Sequence, residues 1–169
     1  MMHYVKLTRA HHRASFDCGV DSLNHFLKIV AREEADRNLG VTYVATPDGI
    51  TIAGYYTLAS YSVQGELFPS GSKLSSTRAI PAILLGKLAI ATTLQGQGFG
   101  NQLLFQALYD CQRVADIAGS HAVVVDALES AVRFYKKYGF QPLTDNESHL
   151  FLTLKTIRQM HLQPQQSLP

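Results

Sequence analysis

The stretch Leu94-Gln95-Gly96-Gln97-Gly98-Phe99-Gly100 decides how this chain is read. It separates an apolar run at 83–91 from a helix-patterned run at 101–118. Glycine lets backbone approach a ligand closely and takes positive φ without penalty. The helix that follows offers unpaired N–H groups and the positive end of its dipole. Together these make a site for a phosphate or pyrophosphate. A turn that only joins two elements is the plainer reading. No Gly-Lys-Ser/Thr follows, so this is not a Walker loop. The third glycine comes one position too early for the dinucleotide fingerprint G-x-G-x-x-G.

Outward from the loop, the chain alternates strands and helices. Residues 3–7 read as a short first strand. Asp21 can cap a helix whose apolar residues Leu23, Phe26, Leu27 and Val30 recur at helical spacing. Residues 32–37 continue it as a charged, solvated face. Residues 41–45 and 50–63 form a hairpin around Pro47-Asp48-Gly49. Residues 69–78 are a loop, and the apolar run at 83–91 suits a central strand covered on both faces. In the next helix, Leu103, Leu104, Ala107, Leu108, Cys111, Val114, Ala115 and Ala118 make one stripe, closed by Gly119. A buried strand at 121–127, a short helix at 130–138 closed by Gly139, and a last strand at 150–154 complete the order. This predicts an α/β fold: a mixed sheet with helices on both faces. One domain spans 1–158, and the glutamine-rich tail at 159–169 reads as disordered.

Composition narrows the class. With 169 residues the chain can bury a real core. The formal net charge of +2 permits a polyanionic partner without arguing for one. Its two cysteines, Cys18 and Cys111, give neither zinc spacing nor a disulfide framework, so no metal is expected. No run approaches membrane-spanning length. These features predict a cytoplasmic protein with no membrane partner.

Three stretches in order carry more. They are Leu84-Leu85-Gly86-Lys87-Leu88-Ala89-Ile90, then the glycine loop, then Ala131-Val132-Arg133-Phe134-Tyr135-Lys136-Lys137-Tyr138-Gly139-Phe140. Their order and spacing resemble the GNAT N-acetyltransferases. Phe16-Asp17-Cys18-Gly19-Val20-Asp21-Ser22-Leu23-Asn24-His25-Phe26-Leu27 and Ile52-Ala53-Gly54-Tyr55-Tyr56-Thr57-Leu58-Ala59 resemble one branch. That branch is the GNAT toxins of bacterial type II toxin–antitoxin systems. The resemblance covers residues 3–157 and implies the GNAT fold, with two central parallel strands that part to admit acetyl-coenzyme A. It implies that the backbone of Leu88, Ala89 and Ile90 pairs with the pantetheine arm. One N–H there, such as that of Ile90, is a candidate oxyanion donor. It assigns the pyrophosphate to Gln95, Gly96, Gln97, Gly98, Phe99 and Gly100, with Asn101 and Gln102 adding side-chain contacts. Gln95 stands where many family members carry a basic residue, so the loop relies on backbone N–H groups. Phe134 packs on the cofactor arm or on the core. Lys137 reads equally as a phosphate contact or a solvated lysine.

Acetyl transfer needs a neutral amine, a donor to the oxyanion and a proton for the departing thiolate. The resemblance places Tyr135 nearest the sulfur. A phenol of ordinary pKa about 10 is protonated at neutral pH and can donate. No general base stands out: Glu66, Asp126 and Glu129 lack an evident partner, and His121 reads as a core or edge residue. A lysine amine of pKa about 10.4 is under ~1% neutral near pH 7.5, whereas an α-amine of pKa about 7.8 is roughly a third neutral. A base-poor site therefore leans toward an α-amino acceptor.

The toxin branch implies that acceptor to be an aminoacyl-tRNA, whose acetylation blocks translation. Arg9, His11, His12, Arg13, Lys73, Arg78 and Lys87 are the candidate RNA contacts. Lys87 sits where the toxin pattern has arginine, Ala91 where an aspartate is frequent, and Leu128 where other GNAT enzymes carry asparagine. The branch also implies a cognate antitoxin, a ribbon-helix-helix protein that binds DNA, and it accommodates a homodimer. Two other readings stay open: a GNAT enzyme acting on a small-molecule or protein amine, and a non-catalytic coenzyme A-binding regulatory module.

Overall fold

The computed structural model describes residues 1–74 and 76–165. Among the described residues, seven strands form one sheet in the order β1-β2-β3-β4-β5-β7-β6. They are β1 (His3–Lys6), β2 (Val41–Thr46), β3 (Gly54–Gln64), β4 (Ala79–Ile90), β5 (Ala122–Asp126), β6 (Gln141–Leu143) and β7 (Asn146–Thr153). Only β4 and β5 run parallel; the other neighbours are antiparallel. Helices α3 (Phe99–Ala118), α4 (Val132–Lys137) and α5 (Leu154–Gln159) lie on one face. On the other, α1 (Asp21–His25), a π turn at Phe26–Val30 and α2 (Ala31–Asp36) cover β2, β3 and the end of β4. The expected mixed sheet with helices on both faces is the fold observed.

The buried residues explain the layering. In β5, Ala122 through Val125 are buried on both faces, as a central strand requires. The α3 stripe buries Leu103, Leu104, Ala107, Leu108, Cys111 and Ala115 against β3, β4 and β5. Val114 and Ala118, expected in that stripe, are exposed because they border an open hollow between the end of α3 and strands β3 and β4. Gly119 closes it at φ 70, its N–H donating to the Ala115 carbonyl.

Several boundaries differ from the sequence reading for local reasons. Asp21 is the first helical residue, not the cap; the preceding turn is tied by Asp17, which accepts from Gly19 N–H and Asn24 Nδ2. The second hairpin strand starts at Gly54, not residue 50, because Asp48 accepts from the N–H groups of Ile50 and Thr51 and extends the turn. Strand β6 and helix α5 were not expected. The first is three residues long and contains Pro142. The second buries only Leu154 and Ile157 and is capped by Thr153, whose hydroxyl accepts from Thr156 N–H. The tail reads as disordered from 159, yet Met160 and Leu162 pack on the core and Gln165 N–H donates to Gln106 Oε1. Residues 166–169 of that tail lie outside the described residues.

Close approach at Gly54 locks β3, β4 and α3 together. A Cβ there would sit 2.9 Å from the Ala89 carbonyl oxygen and 3.3 Å from Leu103 Cδ2. Gly54→Ala is expected to cost about 1–3 kcal/mol, the scale of overpacking. A urea melt checks this: the midpoint falls with the slope unchanged.

Candidate active site

The site is built where two strands part. Strands β4 and β5 pair only over Ala82–Leu84 and Ala122–Val124. Strand β4 then runs six residues further without that neighbour, to Ile90. A bulge marks the divergence: Thr57 pairs with Lys87 but Leu58 pairs with Leu85, which leaves Gly86 as the extra residue. Bulges bend a strand and raise its twist. A Cβ on Gly86 would stand 2.9 Å from Thr57 Oγ1, so the close crossing favours glycine.

Beyond the bulge, the free edge of β4 has a definite parity. Ala91 N–H donates to the Ala53 carbonyl on the β3 side, whereas the Ile90 carbonyl faces away and accepts from Gln95 Nε2. Backbone groups alternate along a strand, so Leu88 shares the open side with Ile90 and Ala89 faces β3. Of the three residues expected to pair with pantetheine, Leu88 and Ile90 face the open side, where the Ile90 carbonyl is taken by Gln95 and its N–H is not; Ala89 faces β3 within the sheet.

A cleft of about 350 Å³ occupies the parting. Leu84, Gly86 and Leu88 form one wall, Asp126 and Leu128 the other, with Tyr135 behind and Leu23 of α1 in front. The Tyr135 ring is held edge-on between Phe134 and Phe140. Burial pushes its phenol above the ordinary value near 10. It is therefore a protonated donor throughout the neutral and mildly alkaline range.

The glycine loop closes the far end. Gly96 and Gly98 take φ 76 and 83, and nothing lies within 4 Å of where a Cβ would be on either. Helix α3 starts at Phe99, two residues before the sequence reading, so the free N–H groups of its first turn open directly onto the loop. This open glycine cradle fits a pyrophosphate. The side-chain amides of Gln95 and Gln97 are engaged within the protein: Gln95 Nε2 donates to the Cys18 and Ile90 carbonyls, and Gln97 Nε2 to that of Thr93. Asn101 and Gln102 stand half-exposed in the first turn. Phe134 lies 3.6 Å from a Cβ position on Gly100, so it joins α4 to the start of α3. Lys137 is exposed, with its ammonium over the Tyr138 ring at 5.6 Å.

The basic residues separate into groups. Lys87 faces the cleft with Nζ 4.2 Å from the Phe26 ring centroid, a cation–π contact worth about 0.5–2 kcal/mol. Arg13 donates to the Lys28 carbonyl on the same π turn as Phe26. His12, Arg13 and Lys28 line one hollow, and Arg9 is exposed nearby in sequence. His11 does not serve as expected: it is buried, and its Nδ1 accepts from Thr8 N–H, so it holds the loop instead of meeting solvent. Lys73 and Arg78 are exposed before the start of β4. Arg78 and Lys87 stand nine positions apart, about 30 Å of strand. His121 is half-buried with its ring edge-on to Phe68, and burial lowers its pKa, so it is a packing residue.

Sequence reading missed the Gly86 bulge, the Lys87–Phe26 contact and the Gln95 clamp. It also left Asp126 without a partner; His149 Nε2 stands 3.8 Å from Asp126 Oδ1. Only the register of β5 against β7, which pairs Asp126 with His149, brings them together.

Comparison with known proteins agrees with this geometry. Residues 17–150 match the family model described as an acetyltransferase (GNAT) domain. The chain belongs to the GNAT acetyltransferase family. It is 32% identical to the probable toxin TacT of Sinorhizobium fredii over 164 residues, covering 89% of each chain. It is 33% identical to the tRNA-acetylating toxin of Mycobacterium tuberculosis over 145 residues, covering 85% of this chain and 87% of that one. The solved structure of AtaT complexed with acetyl-methionyl-tRNAfMet gives a TM-score of 0.86 at 33% identity, covering 95% of this chain and 99% of that one. AtaTR bound with acetyl-CoA gives 0.83 at 34% identity, covering 95% and 98%. As a GNAT enzyme, the chain is an acetyl-CoA-dependent N-acetyltransferase.

Two variants test the assignments. Gly98→Val forces a β-branched residue to positive φ and fills the cradle, so calorimetry should show acetyl-CoA affinity falling at least tenfold. Tyr135→Phe should keep that affinity and lower kcat on the order of 10²-fold. In the wild type, kcat should show no alkaline decline from this tyrosine below about pH 10, because burial raises its pKa.

Proposed function

We propose that this enzyme transfers the acetyl group of acetyl-CoA to the α-amino group of an aminoacyl-tRNA, and so blocks translation in the cytoplasm. One observation supports this most: where β4 and β5 part, Leu88, Lys87 and Tyr135 line one cleft, and β4 runs on from it through Ile90 to the glycine loop. The names of the relatives point the same way. Leu88 and Ile90 would hold the pantetheine amides, and the N–H groups of Gly96, Gly98, Phe99 and Gly100 the pyrophosphate. The Ile90 N–H is the candidate oxyanion donor. Tyr135 donates to the departing sulfur. Among the described residues no helix is long and apolar enough to cross a membrane.

The tRNA surface runs from the cleft along α1. Lys87 lies at the mouth, and Phe26 carries the contact to the π turn that bears Lys28, where Arg13 is fastened. Lys73 and Arg78 belong to a separate end of β4 and would meet only a distant part of a large RNA. We also assign a cognate antitoxin of ribbon-helix-helix type that binds DNA, and self-association as a homodimer, on the resemblance to the toxin branch.

Arg9→Ala combined with Lys28→Ala tests the surface. Lys28→Ala retains the carbonyl that Arg13 binds, so the fold is left alone. The pair should weaken charged-tRNA binding and reduce the slope of log K against log salt by about 2, one unit for each lost phosphate contact. Acetyl-CoA affinity should not change. Full activity on peptides with none on any charged tRNA would contradict the acceptor assignment.

A further inference from the structure

The acetyl-transfer chemistry described so far leaves one requirement unmet, since nothing yet takes the proton from the acceptor amine. The wall of the cleft opposite β4 supplies a candidate. Asp126 ends β5 and lines the cleft, with its side chain 70% exposed. Behind it lies His149 of β7, whose side chain is only 10% exposed. The Asp145 carboxylate, in the turn between β6 and β7, stands 3.1 Å from His149 Nδ1 through both oxygens. That turn is itself anchored, because Thr144 N–H donates to the Leu67 carbonyl.

The carboxylate settles the tautomer. Two acceptor oxygens on Nδ1 place the ring hydrogen there and leave the Nε2 lone pair free. Nε2 faces Asp126 Oδ1 at 3.8 Å and the Tyr61 hydroxyl at 3.5 Å. Tyr61 reaches it from β3, edge-on to the ring. At 3.8 Å the Asp126 contact is too long for a hydrogen bond. It is close enough to favour an imidazolium once Nε2 takes a proton. Among the described residues, the charged or titratable groups seen to face the imidazole are Asp145, Asp126 and Tyr61. Burial and the two carboxylates raise the Tyr61 phenol, so it remains a neutral donor. No group of three metal-ligating side chains is placed to hold a metal ion among the described residues.

We propose that Asp126 and His149 form the proton exit for the acceptor amine, with Asp145 as the positioning residue that orients His149. This rests on the reading of the acceptor as an aminoacyl-tRNA. The α-ammonium gives one proton to Asp126 at the cleft wall, and a water bridging the 3.8 Å gap hands it to His149 Nε2, giving an imidazolium. The neutral amine attacks the acetyl carbonyl, so the C–N bond forms and the C–S bond breaks. The sulfur takes the Tyr135 proton, and the phenolate recovers one from the new amide nitrogen through water. His149 then returns its proton to solvent. The sum is ammonium plus thioester giving amide, thiol and one proton. The lean toward an α-amine remains, because an α-ammonium gives up its proton far more readily than a lysine ammonium.

The test is a pH profile of kcat/KM for charged tRNA in the wild type, His149→Gln and Asp145→Asn. Protonated His149 cannot accept, so wild-type activity should fall as pH drops, with a slope of one. His149→Gln should lower kcat on the order of 10²-fold and remove that acid limb, while acetyl-CoA affinity stays put. Added free imidazole should restore part of the rate. Asp145→Asn should keep the limb but move it to lower pH, because the imidazolium loses a counter-charge. It also serves as the test if the glutamine variant does not fold. Wild-type kcat and an unchanged acid limb in His149→Gln, or a limb in Asp145→Asn that coincides with wild type, would overturn the proton exit alone. Wild-type protein inactive on every charged tRNA would contradict the proposed function and remove this inference with it.

Discussion

Everything in this site depends on one sheet defect, the extra residue at Gly86. Before it, β4 is an ordinary central strand, paired on both sides. After it, β4 stays with β3 and leaves β5, and the pairing stops at Leu84 and Val124. Unpaired N–H and C=O groups inside a fold are costly unless something completes them. Here Leu88 and Ile90 carry such groups at the cleft, and a ligand with amide groups of its own can take the place of the missing strand. The Gln95 side chain meanwhile occupies the Ile90 carbonyl and ties the loop to Cys18. Each of these two bonds contributes about 1 kcal/mol.

The same defect orders the rest of the chemistry. Helix α3 starts where β4 ends, so its free N–H groups point to the end of the parting. Helix α4 reaches the cleft because Phe134 packs at Gly100 and Tyr138 stacks edge-on against Phe105. Tyr135 and the glycine loop, the proposed proton donor and anion cradle, thus belong to one packed unit, α3 with α4. The proposed acceptor side belongs to another, with α1 over β3 and the β6–β7 turn beside β5. Tyr55 fixes the first by donating to the Leu23 carbonyl. The two halves of the reaction meet only across the cleft.

Much of this was legible in the residues. The alternating glycines, the apolar run before them and the Phe134-Tyr135 segment pointed to the positive-φ turn before α3, to the strand and to a tyrosine at the cleft. The two helical faces followed from periodicity. What escaped reading was tertiary. His11 and Lys87 are both basic, yet one is turned inward by Thr8 and the other is held over Phe26, and no local pattern distinguishes them. Asp126 and His149 lie 23 positions apart and meet only through the register of β5 on β7. Strand β6 and helix α5 carry too few apolar residues to signal themselves; packing, not propensity, makes them.

The central claim is that this cleft acetylates the amino group of charged tRNA. The direct measurement is to incubate the protein with radiolabelled acetyl-CoA and aminoacylated total tRNA, digest the RNA with nuclease, and identify the labelled species by mass spectrometry. The account predicts N-acetyl-aminoacyl-adenosine as the labelled product. Label confined to protein or to small amines, with charged tRNA unmodified, would contradict it.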